Sequence, residues 1–226
     1  MGMPTYIPTY GTGGAHAQES FVVEYGLNWS NYDQLARRAK NVFEESAKKH
    51  GIDPLPLCTA RGKDPESVRR KLLQRGSEIL DLAGIRILLY FPDQANVIEQ
   101  ILHQTFDDVQ AKSREQTSDT EFKARIYHAR VKESNMKDLK LPNRHNIVEV
   151  QVVSILMHAW AEVEHKRYKR IISDSTPQED RVLKELNDIM LEGEYKLIEL
   201  HQLYEARKKA EEANSQSIDR SCGGVC

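Results

Sequence analysis

The chain reads as an α/β protein: a mixed β-sheet of about five strands flanked by helices, continued by one long C-terminal helix. Three stretches of its 226 residues carry that expectation. From Asn146 to Val153 apolar and polar residues alternate with the two-residue period of a strand, and from Ser154 the period turns helical. Ile85 to Phe91 is an almost unbroken apolar run, the pattern of a central strand buried on both faces. After Thr176 and Pro177, Leu183, Leu186, Met190, Gly193, Leu197, Leu200 and Tyr204 recur at steps of three and four, which is an a/d seam on a long helix.

Composition narrows the function classes. Charged residues are 29% of the chain and the formal net charge is −2, so a surface dedicated to nucleic acid is not expected, although a local basic pocket fits. No apolar run approaches a membrane span, and no secretory signal core is present. Cys58, Cys222 and Cys226 make no disulfide framework, so the expected compartment is a reducing cytoplasm. Cys222 and Cys226 read either as a metal pair or as part of a Gly-rich tail.

In chain order, residues 1–27 are rich in Gly, Thr, Tyr and Pro and are expected to be an irregular arm. A core domain over 28–175, a helical extension over 176–212 and a disordered tail over 213–226 follow. Ser30 and Asp33 open the first helix, whose apolar face is Tyr32, Leu35, Ala36, Ala39, Val42, Phe43 and Ala47, and Gly51 stops it. Leu57 to Gly62 is a short strand. Asp64 and Pro65 cap and begin a helix to about Gln74. Pro92 to Gln104 is a helix, Phe106 to Val109 a short strand, and Ala111 to Thr120 a polar loop. Glu121 to Lys132 alternates as a strand, and Pro142 and Asn143 mark the turn before the strand at Asn146. Thr176 and Glu179 cap the last helix.

Three constellations carry chemistry. Arg61 and Lys63 lie at the mouth of the helix that starts at Pro65, and Lys63, Ser67 and Lys71, spaced by four, share one of its sides. A helix N-terminus with two lysines suits an anion, and a solvated basic face is the plainer reading. Arg86 interrupts the apolar run after Asp81 and Gly84, and a lone arginine in a buried strand needs a partner or a ligand. Asp81 and Gly84 also read as ordinary turn residues. In the strand from Asn146, Val148, Val150 and Val152 share one face, while Glu149 and Gln151 stand on the other, roughly 7 Å apart. His158, Glu162, His165 and Lys169 then line one face of the following helix. These polar faces read equally as solvated surface or as the lining of a cleft.

These residues resemble the RelA/SpoT synthetases. Glu149, Val150, Gln151 and Val152, followed by Met157, His158, Ala161, Glu162, His165, Tyr168 and Lys169, match that signature. So do the pattern D-x-x-G-x-R at Asp81, Gly84 and Arg86, and the set Arg61, Lys63, Ser67 and Lys71. The resemblance runs from about Leu55 to Arg170 and implies a nucleotidyltransferase-like fold. It implies an alarmone synthetase, which moves pyrophosphate from ATP to the ribose 3′-hydroxyl of a purine nucleotide, GDP or GTP. No upstream hydrolase motif is present, so a small, synthetase-only member is expected.

By the same resemblance Arg61, Lys63, Ser67 and Lys71 grip the ATP phosphates. Asp81 holds magnesium, which Glu149 shares, and Arg86 stacks on adenine. Glu149 is also the expected base. Gln151 and His128 hold the acceptor, and His158, Glu162, His165 and Lys169 are outer contacts. The small members are oligomers with contacts through terminal helices, so a homo-oligomer through the C-terminal helix is expected. Two departures fall on the acceptor side. The family's stacking tyrosine falls on Ala124 and its serine on Ile126, with Phe122 on the same face as a partial substitute; Val153 and Ser154 stand where the family has Arg-Thr. The acceptor base therefore stays open. So do two other readings: a member of the fold that binds nucleotides without turnover, and another nucleotidyl or phosphoryl transferase.

Overall fold

A computed structural model describes residues 15–75, 79–112, 124–136, 138–141, 146–164 and 176–222. The chain divides into two compact units. The first draws on Met1–Leu88, Ala95–Asp119 and Ala124–Val153, the second on Leu89–Gln94, Thr120–Lys123 and Ser154–Cys226.

The first unit is built on a five-stranded sheet of order β1-β2-β5-β4-β3, with β1 Leu57–Gly62, β2 Ala83–Leu89, β3 Asp107–Ala111, β4 Arg125–Arg130 and β5 Ile147–Ser154. Three neighbouring pairs are antiparallel: β1 with β2, β3 with β4, and β4 with β5. Between β2 and β5, Gly84 lies beside Glu149 and Arg86 beside Gln151, so residue numbers rise together and these two strands run the same way. The sheet is mixed, as expected from sequence. Val148, Val150 and Val152 of β5, with Ala83, Ile85 and Ile87 of β2 and Tyr127 and Ala129 of β4, are buried on the core face. Helix α1, Ala15–Lys49, packs on β1, and α3, Ala95–Thr105, packs on α1 and β3. Ile98, Ile101 and Leu102 of α3 are fully buried, each worth about 1.5–3 kcal/mol of transfer free energy.

Helix α1 corrects the sequence reading. Residues 1–14 lie outside the described residues, but 15–27, expected as irregular arm, are helical. Val22 and Tyr25 extend the buried stripe of Tyr32, Leu35, Ala36, Ala39, Phe43 and Ala47 backwards, Tyr25 seven residues (two turns) before Tyr32 and Val22 three before Tyr25. That burial outweighs Gly26, whose helix penalty is about 1 kcal/mol. At the other end Gly51 takes φ 69° and Ile52 N–H donates to the Ala47 carbonyl, the left-handed stop expected there. Helix α2, Pro65–Arg75, starts as expected, with Asp64 accepting from Ser67 N–H at 2.8 Å. Strand β3 is an edge strand whose pairing with β4 shifts between Asp107 and Gln110, where Asp108 has φ 48°.

In the second unit Ser154 caps α4, Ile155–Ala161, its hydroxyl accepting from Met157 N–H at 3.0 Å. The expected continuation to Arg170 passes out of the described residues after Glu164. Helix α5, Pro177–Cys222, opens on the expected capping box, Thr176 and Glu179 bonding reciprocally. It also corrects the expected tail, since 213–222 continue the helix. No glycine or proline follows Gly193 until Gly223, and Glu, Ala, Lys and Arg prevail from Glu205 on. Gly193 lets α5 approach α4 closely: a Cβ there would meet Leu156 Cδ1 at 2.9 Å. Beside it buried Glu194 accepts from Ser154 Oγ at 2.5 Å. Of the expected seam residues, Leu183, Met190, Leu197 and Tyr204 are half-buried while Leu186 and Leu200 are exposed, and Val182, Ile189 and Leu203 are exposed beside them on α5.

Candidate active site

The face of the sheet opposite the core carries polar side chains in rows. Arg61 of β1 pairs with Gly84 of β2, a Cβ on Gly84 would lie 3.5 Å from the Glu149 carbonyl of β5, Glu149 pairs with His128 of β4, and His128 with Gln110 of β3. Two residues along, Thr59, Arg86, Gln151 and Ile126 make the next row. Strand alternation alone puts Glu149 and Gln151 on one face; the strand order puts Arg86 and His128 on either side of them.

Beside these rows lies an ionic knot. Asp81, just before β2, meets Lys63 Nζ at 2.5 Å and Lys71 Nζ at 2.8 Å, one ammonium on each carboxylate oxygen. Burial alone would raise the Asp81 pKa. The hydrogen bonds and charges of the two lysines outweigh it and hold the carboxyl below its ordinary range. Lys63 leaves the end of β1 and Lys71 sits on the second turn of α2, so the expected basic side of α2 closes on the expected metal carboxylate. Ser67 is half-buried on the same helix, with its hydroxyl accepting from Arg70 at 3.1 Å. Arg61 is exposed at the edge of the face.

The second cluster is a chain of hydrogen bonds. Arg86 Nε donates to Gln151 Oε1 at 3.0 Å, and Gln151 Nε2 donates to Glu149 Oε1 at 2.7 Å. The half-buried arginine thus finds the partner its position demands. Glu149 is 8% exposed, and its Oε2 lies 3.9 Å from His128 Nε2. Burial lowers the His128 pKa, with Lys112 and Lys71 in the same direction and Glu149 and Asp81 opposing. A neutral imidazole at that distance is a neighbour of the carboxylate, not its counter-ion. The fields of Asp81 and Lys71 reach His128, so the knot and the chain share one electrostatic environment.

Of the other expected residues, Ala124 is half-buried at the approach to β4, and Tyr127 lies buried on the core face, as its alternation requires. His158 and Glu162 belong to the second unit and face each other at 4.0 Å. Phe122, His165 and Lys169 lie outside the described residues. Sequence reading missed Gln110 and Lys112, because only the pairing of β3 with β4 brings them to His128. Among the described residues no group of three or more His, Cys, Asp or Glu side chains gathers as a metal site. Asp81 and Glu149 are nevertheless hard oxygen donors with lone pairs beyond those engaged, and magnesium needs only one or two carboxylates when phosphates and water complete its shell. The donor set fits that ion, in competition with the two lysines at Asp81.

The family model described as a region found in RelA / SpoT proteins matches residues 60–173. The chain is 30% identical over 172 residues to the GTP pyrophosphokinase YwaC of Bacillus subtilis (strain 168), covering 70% of this chain and 79% of that one. Its fold is similar to the crystal structure of smu.1046c from Streptococcus mutans UA159, with TM-score 0.62, 21% identity, and 80% and 96% of the two chains covered. It is also similar to the small alarmone synthetase 1 of Bacillus subtilis bound to its product pppGpp, with TM-score 0.57, 18% identity, and coverage of 83% and 97%.

Proposed function

Since the chain belongs to the RelA/SpoT family, whose fold it has, we propose that it transfers pyrophosphate from ATP to the ribose 3′-hydroxyl of a purine nucleotide, GDP or GTP in the first place. The observation that carries this reading is a lysine-clamped carboxylate, Asp81, just before β2, together with a buried, hydrogen-bonded glutamate, Glu149, on the polar face of β5. The pppGpp bound by a structural neighbour supports a guanine acceptor.

In this reading Lys63, Lys71 and Arg61 hold the ATP phosphates, with Ser67 at the same helix end, and Arg86 stacks on the adenine. Phosphate oxygens entering the knot take over the ammonium groups that now bind Asp81. Magnesium, held by Asp81 and Glu149, supplies charge neutralisation on the phosphates. Gln151 orients the Glu149 carboxylate, and His128 flanks the acceptor ribose. The 3′-oxygen attacks the β-phosphorus, the bond from that phosphorus to the α,β-bridging oxygen breaks, and AMP leaves with that oxygen. The hydroxyl proton passes to Glu149, a role worth about 10²–10⁴-fold. Most of the remaining catalysis is positioning and charge stabilisation.

The test is incubation of labelled ATP and magnesium with GDP, GTP or adenine nucleotides. A product carrying two more phosphates than the acceptor, with AMP in equal amount, is the expected result. Nucleotide binding without turnover would overturn it in favour of a binding role. The exposed apolar residues of α5 support a second copy as partner, and light scattering that finds only monomer would remove that part. Among the described residues no helix is long and apolar enough to cross a membrane.

A further inference from the structure

The backbone that carries the ionic knot is gripped from behind by α1. Lys63 N–H donates to the Leu82 carbonyl at 2.8 Å, tying the segment that bears Lys63 to the segment that bears Asp81. The Tyr25 hydroxyl lies 2.5 Å from the Lys63 carbonyl oxygen and 3.1 Å from that of Leu82. It bridges the two segments with its single proton, and the shorter contact takes most of it. Trp29 Nε1 donates to the same Lys63 carbonyl at 3.0 Å, and Asp33 Oδ1 accepts from Gly62 N–H at 3.0 Å. Tyr25, Trp29 and Asp33 are spaced by four, so one face of α1 supplies all three. Gly62 allows the approach, since a Cβ there would stand 3.1 Å from both Asp33 N and Trp29 Nε1.

The Tyr25 ring is 2% exposed and packs on Tyr32 with ring centroids 4.9 Å apart. A phenylalanine would fill the same volume, so packing does not account for the hydroxyl. Burial first, then the negative charge of Asp81, push the phenol above its usual range, which keeps the proton on it. The hydroxyl therefore stays a donor, aimed at the carbonyls of Lys63 itself and of the neighbour of Asp81.

We propose that Tyr25 is a positioning residue for ATP: its hydroxyl fixes the register of the Lys63 and Leu82 backbone and so sets Lys63 against Asp81. This rests on the donor role given above to Lys63, Lys71 and Asp81. The test compares full-length wild type, Tyr25→Phe and Lys63→Ala. Calorimetry with a non-hydrolysable ATP analogue and magnesium gives affinity, and steady-state rates with ATP and acceptor varied separately give the two KM values and kcat. For Tyr25→Phe the expected result is a three- to tenfold rise, roughly that of one lost hydrogen bond, in ATP KM and in the analogue's Kd. The acceptor KM and kcat should stay within about twofold, a split that general loosening would not produce. Unchanged ATP parameters in Tyr25→Phe beside an impaired Lys63→Ala overturn the positioning role alone. Unaltered analogue binding in Lys63→Ala faults the donor reading, and the proposal with it. A Tyr25→Phe chain that fails to fold, or whose ATP and acceptor parameters decline together, marks the hydroxyl as structural and overturns the proposal.

Discussion

Two carboxylates of the candidate site, Asp81 just before β2 and Glu149 within β5, are held in opposite ways. Asp81 has an ammonium on each oxygen, at 2.5 and 2.8 Å. Glu149 accepts from a neutral amide at 2.7 Å and has a histidine 3.9 Å away. The first group is locked in its ionised form by charge, which suits a ligand for cations and a counterpart to phosphate. The second is oriented without being neutralised, which suits a group that must gain a proton. The contrast follows from place in the fold: Asp81 sits where the end of β1 and the side of α2 converge, both of them lysine-bearing, whereas Glu149 sits mid-strand among polar neighbours.

The most severe break in this contrast is Glu149→Gln. The amide keeps the shape but cannot take a proton, so turnover should fall about 10²–10⁴-fold with the chain still folded. Retention of more than about a tenth of wild-type turnover would remove Glu149 as base. Next is Asp81→Asn, which leaves Lys63 and Lys71 without their counter-charge. Magnesium dependence should weaken and turnover drop, by something like the 10–100-fold typical of disturbed metal shells.

The same variant tests the ionic lock by pH. The folded carboxyl lies below its ordinary value, so the stability it contributes is present above about pH 3.9 and is lost as pH falls through the folded value. The gap in Tm between wild type and Asp81→Asn should hold near neutrality and close in acid. A gap that stays constant down to pH 2 would mean that the lysines do not hold Asp81 as described.

The remaining two variants probe the bases. Ala124 offers no ring to a nucleobase, so Ala124→Tyr should tighten guanine nucleotide binding by about 1–3 kcal/mol, very roughly one to two decades. Tight guanine-selective binding by the wild type, unmoved by the substitution, would place base recognition on another residue. Arg86→Ala should raise the ATP requirement by a smaller factor, about two- to thirtyfold for a lost cation–π contact of roughly 0.5–2 kcal/mol. Because Arg86 also holds Gln151, some turnover should go with it. Unchanged ATP affinity by calorimetry would withdraw the stacking role.

Much of this molecule is local in origin. Strand β1 runs from Leu57 to Gly62 as its pattern predicts, Asp64, Ser154 and Thr176 cap the helices they precede, and Glu149 and Gln151 face away from three buried valines. Caps and alternation depend on residues within about one turn or two strand positions of each other, so the chain alone expresses them. The family signature is legible for the same reason, being a set of spacings. What spacing cannot express is which elements become neighbours. That Gly84 comes beside Glu149, that His128 stands across from it, and that both lysines close on Asp81 follow from the strand order β1-β2-β5-β4-β3. The first turns of α1 are of the same kind: residues 15–27 are helical with Tyr25 buried and meeting two carbonyls, and those carbonyls belong to residues 38 and 57 positions away.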